Sequence, residues 1–280
     1  KVAVIGAGGK MGTRTSNNLV TKFPDKFDVK LVETFPPAVE RIEKERGLKV
    51  TPVDEALAFA DVVIFAVPDT LIKKLSAEYV PMLKPGTVFL ILDPAAAVAK
   101  ELTLRDDCTF GVAHPCHPSY FKWQKEEEAY QDRFGGEGGH QDIVMSCIQG
   151  DEEKFKLAQE TARCMYRADK AFVMTSEQIA FLEPTLVETL GATCCYAMAE
   201  TVNEAVKRGI DREAAVSFLT GHVFNLTANF LGYLPGNPPV SDACKVALEI
   251  GNHLVLRDDW KKIWDDELLR KVIATMLHPE

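Results

Sequence analysis

The sequence has no basic excess and no basic cluster. Its 41 acidic and 32 basic side chains leave a net charge of −9, which argues against a nucleic-acid binder, whose footprint is a positive patch. No apolar run is long enough to cross a bilayer, and no secretory signal precedes the first apolar strand. The seven cysteines, at 108, 116, 147, 164, 194, 195 and 244, form no C-x-x-C pair and no framework spacing. Reduced thiols in a cytoplasmic protein are therefore expected. Repeats and low-complexity stretches are also missing. What remains is an ordinary globular composition, 46% hydrophobic and 26% charged, on 280 residues. That length suits one large or two ordinary domains with an ample core.

The most informative stretch is the first. The apolar run Val2–Ile5 breaks into Gly6, Gly8, Gly9 and Gly12, with Lys10 and Met11 between them, and an amphipathic segment follows. This reads as a buried parallel strand, a tight turn and a helix start. Glycines let the backbone approach a pyrophosphate, whose charge sits on N–H groups at the helix N-terminus. The spacing departs from G-x-G-x-x-G, because Met11 holds the usual third glycine position and Gly12 follows it. A second strand, 28–33, ends in Glu33 about 25 residues after the loop, where a carboxylate bonds the ribose hydroxyls of NAD and repels the 2′-phosphate of NADP.

Strand and helix then alternate. Helices are expected over 36–47, 54–59 and from Asp69 to about Leu83, with strands at 48–53, 61–67 and 88–92. This alternation implies βαβ units and a mostly parallel, doubly wound α/β sheet. Ligands bind beyond the carboxyl ends of such strands, so the tips at Gly6–Gly9, Glu33, Pro68–Asp69 and Asp93–Ala97 should surround a cofactor. Asp69 and Asp93 serve equally well as helix caps. A strand at 109–113 is followed by a long polar segment, 119–141, which is a lid or a disordered excursion; its acidic run Glu126–Glu128 reads as a solvated face. Residues 142–148 resume the sheet, 152–166 form a helix and 171–174 close a first domain, 1–174. From Thr175 to residue 280 the pattern is helical. Thr175 and Gln178 have capping-box spacing, and one long helix runs to Arg208-Gly209, kinked or restarted at Pro184. Asp211 caps a helix, 217–231 follows, a loop covers 235–239, and helices at 242–254 and 258–277 close the chain. A helix that long cannot bury both sides in so small a domain, so a partner subunit, in a homodimer through the helical domain, is expected.

Two constellations carry chemistry. His114-Pro-Cys-His117-Pro places two imidazoles and a thiol at a strand's carboxyl end, in a loop that prolines stiffen. His114 could act as general base on a substrate hydroxyl. Alternatively His114, with or without His117, binds a divalent metal (zinc, manganese or iron) together with a carboxylate from the helical domain. The third reading is a rigid prolyl turn with histidines bonded to backbone. Glu183 and Glu188 interrupt an otherwise apolar helical stretch, and Glu183, just before Pro184, is the candidate acid or metal ligand. For Asn203, Asn225, Ser241 and Lys245 capping or surface roles are expected. His222 and His253 read as structural, and Cys194-Cys195 as core.

The glycine loop, Val67-Pro68-Asp69, the long helix and Glu200-Thr-Val-Asn203 together resemble the 6-phosphogluconate dehydrogenase-like superfamily. The resemblance implies an NAD-binding Rossmann-type domain followed by a helical domain that dimerises. The catalytic lysine of its β-hydroxyacid dehydrogenases has no counterpart, since 181–200 contains no lysine. Gly6–Gly12 taken with His114–Pro118 is most similar to the D-apionate oxidoisomerase branch. That similarity implies NAD-dependent oxidation of a small branched polyhydroxy acid coupled to an acyloin-type shift, with His114, His117 and Glu183 at the catalytic centre. Two other readings stand beside it. One is a metal-free hydroxyacid or prephenate-dehydrogenase-like enzyme with His114 as base, and the other is a non-catalytic NAD-binding sensor.

Overall fold

The computed structural model describes residues 1–236 and 238–279. It divides into two compact units, Lys1–Ala180 with the segment from Arg270 on, and Phe181–Leu269. The 235–239 loop read from the sequence contains Asn237, which lies outside the described residues.

The first unit is a seven-stranded sheet among the described residues, in the order β2-β1-β3-β4-β5-β6-β7. Strands β1 (Val2–Ile5), β2 (Val29–Val32), β3 (Val62–Phe65), β4 (Val88–Ile91) and β5 (Thr109–Pro115) are parallel. β6 (Gln141–Gln149) runs antiparallel to β5, and β7 (Ala168–Val173) is parallel to β6. The central strands β1, β3 and β4 are continuous runs of apolar residues and are buried at every position, as strands covered on both faces must be. Helices α1 (Lys10–Asn17), α2 (Pro36–Lys44), α3 (Val53–Phe59), α4 (Asp69–Tyr79) and α5 (Ala95–Val98) supply the crossovers. α6 (Glu127–Gln131) interrupts the polar loop, α7 (Glu152–Tyr166) returns β6 to β7, and α8 (Ser176–Ala180) ends the unit. The chain leaves β1 in one direction to β2 and in the other to β3. The crevice between β1 and β3 is therefore the topological switch point at which such sheets bind ligands.

The strand expected at 48–53 is a correction. Val50 makes an isolated bridge to Leu31, and Pro52, which has no N–H for a ladder, caps α3 instead. The capping box is present: Gln178 N–H donates to the Thr175 hydroxyl at 3.2 Å, and Thr175 N–H to the Gln178 side-chain oxygen at 2.9 Å.

The second unit is helical. Phe181–Ala192 is π-helical and contains Pro184, then come α9 (Thr193–Lys207), α10 (Arg212–Phe230), α11 (Asp242–Val255) and the start of α12 (Asp266–Leu277). Pro184 lacks a donor and its ring opposes a normal turn; the wide turns absorb both, and the Thr189 hydroxyl donates to the Pro184 carbonyl at 2.6 Å. Asp211 caps α10 through Ala214 N–H, and α10 is one helix where two segments were expected. Ser241 caps α11. Cys194 and Cys195 are exposed on α9 rather than in a core, because that helix buries little but Val202.

Candidate active site

The glycine loop follows β1. Gly6 turns the chain with φ +77°, and a side chain there would press against the Ala66 carbonyl oxygen at 2.5 Å. At Gly8 a Cβ would come within 2.6 Å of the Ala38 methyl, and at Gly12 it would overlap the Gly6 carbonyl oxygen. Gly12, one place late, thus does the close-packing work of the third glycine. Gly9 differs. A Cβ there would meet nothing nearer than 3.4 Å, so the protein's own packing does not require glycine at that position. Gly9 also opens α1, which has no side-chain cap and no acid in its first turn. The N-termini of α7, α10 and α11 are each closed by their own Asp or Ser. α2, α3 and α4 also lack a side-chain cap, but α1 alone of these follows the glycine turn, where its N–H groups and positive dipole end can receive an outside anion.

Glu33 stands beside this turn. Its carboxylate accepts from Gly8 N–H at 2.9 Å, Thr34 N–H at 2.8 Å and Phe35 N–H at 3.0 Å. The sequence reading and the structure agree in bringing Gly8 and Glu33 together. Arg41 donates to the Gly8 carbonyl at 3.0 Å, and Arg46, whose pKa burial lowers, donates to the Ser16 hydroxyl at 2.9 Å. Neither arginine was legible beforehand, since nothing in their spacing marks them. Pro68 and Asp69 begin α4 at the end of β3. Asp93 precedes Pro94, the N-cap residue of α5, and accepts from Ala95 N–H at 2.8 Å. These residues fit a dinucleotide: an uncapped helix end for the pyrophosphate, glycines for close approach and an acid for ribose.

His114 is the sixth residue of β5, between β4 and β6. Its Nδ1–H donates to the Leu92 carbonyl at 2.8 Å, a direction fixed because a carbonyl can only accept. His117 lies beyond the strand in the left-handed region, φ +59°, and its Nδ1–H donates to the Phe134 carbonyl at 2.7 Å. In both rings Nδ1 is thereby fixed as the protonated nitrogen. Beneath them Tyr166 is fully buried, its hydroxyl on the Ala113 carbonyl at 3.1 Å, and burial pushes its pKa up.

The 119–141 segment is not a structureless excursion. Asp132 accepts from the N–H groups of Gly135, Glu137, Gly138 and Gly139 at 2.9–3.0 Å. Burial pushes its carboxyl up, but these backbone donors outweigh it and hold the pKa below the usual carboxylate range. Arg14 of α1 donates to the Gly135 carbonyl at 2.9 Å, and Asn18 reaches the Gly136 carbonyl. The Phe134 ring lies 3.8 Å from the Lys10 ammonium, 4.3 Å from the Arg14 guanidinium and 4.6 Å from the His117 ring. Glu126–Glu128 are exposed, as a solvated face should be.

Glu183 belongs to the second unit, half-buried ahead of buried Pro184 and Thr185, while Glu188 is exposed. The metal reading lacks a ligand set. Among the described residues no three His, Cys, Asp or Glu side chains gather around one point. No helix is long and apolar enough to cross a membrane among those residues.

Comparison with known proteins agrees with this geometry. Residues 1–112 match the acetohydroxy acid isomeroreductase NADPH-binding domain, and 122–277 match the phosphogluconate dehydrogenase (decarboxylating) C-terminal domain. The chain is 72% identical to a D-apionate oxidoisomerase of Blautia hydrogenotrophica over 280 residues, covering all of this chain and 97% of that one. A D-apionate oxidoisomerase of Cupriavidus necator is 42% identical, with 98% of each chain covered. Among solved structures, a semialdehyde dehydrogenase NAD-binding protein from Cupriavidus necator, in complex with calcium and NAD, superposes with a TM-score of 0.93 at 41% identity, covering 98% of each chain. With a glycine loop built for a dinucleotide, a matching helical region and full-length relatives this close, the chain belongs to the D-apionate oxidoisomerase family of the 6-phosphogluconate dehydrogenase-like superfamily.

Proposed function

We propose that this protein is an NAD-dependent oxidoisomerase that oxidises a branched polyhydroxy acid of the D-apionate type and shifts its carbon skeleton. One observation carries the reading beyond family membership. Two imidazoles at the carboxyl end of β5 have their Nδ1–H groups tied to carbonyls, on the sheet edge that also carries the glycine loop.

NAD bound at that loop supplies the hydride acceptor. The protein's residues handle protons. His114 Nε2 takes the proton of the C2 hydroxyl as the C2–H hydride departs, leaving a 2-oxo acid. His117 Nε2 then takes the C3 hydroxyl proton, and the forming C3 carbonyl drives its hydroxymethyl group, with the bonding pair, onto C2. The C2 oxygen recovers a proton from His114. The balance is one hydride to the cofactor and one proton released. An imidazole suits both steps because this side chain can take up a proton and give it back near neutral pH. Glu183, beside buried Pro184, is assigned as an acid toward substrate in the helical segment that begins at Thr175. No step is routed through a metal, because among the described residues no three His, Cys, Asp or Glu side chains gather around one point.

Glu33 supports NAD rather than NADP. The exposed apolar face of the second unit supports a homodimer. Seven free thiols support a cytoplasmic setting. The test follows NADH formation on branched and linear aldonates, D-apionate included, with and without a chelator, and reads the product by carbon NMR. NADH with a rearranged skeleton, indifferent to chelator, is expected. An unrearranged keto acid would reduce the protein to a dehydrogenase with His114 as base. Chelator sensitivity would restore the metal, and silence despite NAD binding would favour a sensor.

A further inference from the structure

We infer that Asp132 and Phe134 are positioning residues that hold His117 in its Nδ1–H form and tie it to the cofactor helix; this rests on reading His117 as a proton acceptor. The free histidine side chain in water modestly favours the opposite tautomer, with the proton on Nε2, so a histidine that must present Nε2 as a base needs a fixed acceptor at Nδ1. The Phe134 carbonyl is that acceptor, at 2.7 Å. A carbonyl on a loose loop would not hold the ring. This loop is held at three levels.

At its base, the Asp132 carboxylate gathers four backbone donors, those of Gly135, Glu137, Gly138 and Gly139, into one cage. The chain bends so sharply there only because Gly135 and Gly136 take φ +80° and +88°. At its side, Arg14 of α1 and Asn18, just past its end, bind loop carbonyls. At its tip, the Phe134 ring faces three groups at once: the Lys10 ammonium, the Arg14 guanidinium and the His117 imidazole. Lys10 and Arg14 lie in the first turns of α1, the helix whose open N-terminus fits the pyrophosphate. One aromatic ring is thus shared between the helix that receives cofactor and the histidine that receives a proton. His117 itself sits in the left-handed region between two prolyl residues, a conformation a non-glycine residue keeps only when its surroundings enforce it.

The experiment is histidine-selective ¹⁵N NMR of the full chain, with His117 assigned by its disappearance in His117→Gln. It is run on wild type, Asp132→Ala, Phe134→Leu and Phe134→Tyr, alongside kcat, KM for NAD and thermal melting. Wild type should show His117 with Nδ1 protonated. Asp132→Ala and Phe134→Leu should move it toward the tautomer mixture of free histidine, lower kcat about tenfold and leave the melting transition in place. Phe134→Tyr, which keeps the ring, should retain the wild-type signal. A tautomer shift with kcat unchanged upholds the positioning and sinks His117 as base. An unshifted His117 signal in both Asp132→Ala and Phe134→Leu overturns the inference, whatever happens to kcat.

Discussion

In the first unit every residue of β1, β3 and β4 is buried, and Phe65, Phe89 and Phe110 pack ring to ring across neighbouring strands. In the second unit α9 buries Val202, α10 buries Ala228 and α11 buries nothing. There Phe218 is 70% exposed and Leu254 79% exposed, and an apolar groove of about 500 Å³ runs along Val202, Ala205, Ile210, Phe218 and Leu219. A soluble monomer rarely leaves so much contiguous apolar surface open. The first unit has completed its core with its own chain. The second leaves much of its apolar surface uncovered, and this is what supports the proposal of a second copy of the same chain as its cover.

The largest effect should follow from charging that open face. Phe218→Glu together with Leu254→Asp is expected to convert a dimer to a monomer in light scattering behind size exclusion, and to remove the concentration dependence of melting. A wild type already monomeric at micromolar concentration would break the comparison. Next comes the closed core. Leu90, wholly buried in β4, should cost about 2–5 kcal/mol on truncation to alanine, read by denaturant unfolding. Leu254→Ala, at an exposed position, should cost roughly 0.5 kcal/mol or less in dissociated chains. The same leucine-to-alanine change would then measure the difference between the units.

The sequence showed the closed unit far better than the open one, for a physical reason. Continuous apolar runs such as Val62–Phe65 and Val88–Ile91 need no partner information to be read as buried strands, and α7 carries its Asp151 cap and amphipathic period on its face. The direction of β6 was not visible, because antiparallel pairing with β5 depends on a connection whose path is set by Asp132 and glycine backbone. The glycine loop and Glu33 were legible as a site. Phe134, Arg14 and Asp132 were not, since Arg14 meets the loop from 121 residues away, and Phe134 and Asp132 act through a backbone carbonyl, a ring face and backbone N–H groups. Cys194 and Cys195 were misread as core because apolar helix faces look alike whether their cover is the same chain or another.

A smaller effect separates a functional opening from an unfinished one. Gly9→Ala meets no atom closer than 3.4 Å, so its melting temperature should match wild type. Its methyl would stand at the uncapped end of α1, and NAD affinity should fall roughly tenfold or more, about 1.4 kcal/mol, by titration calorimetry. Unchanged affinity would remove the helix end from the cofactor site.

The smallest effect is local and depends on pH. Asp132 has a carboxyl held below the usual range, so its share of loop stability is fully present above the unfolded carboxylate pKa near 3.9. It is lost as pH falls through the still lower folded value. Hydrogen exchange at the amides of Glu137, Gly138 and Gly139 should therefore stay protected at neutral pH and open progressively below about pH 4, ahead of the β-strand amides. Asp132→Asn, with one acceptor oxygen in place of two, should show that opening already at neutral pH and lose its acid dependence. In the second unit Asp259 is also held low, to about 2, by Arg257 and Lys262, but it lies at the surface, partly exposed, and screened surface pairs contribute little. Neutralising it by Asp259→Asn should leave exchange around 257–262 nearly unchanged. An acid-induced opening equal in both places would mean that the loop cage owes its order to its glycines and aromatic ring rather than to the carboxylate at its base.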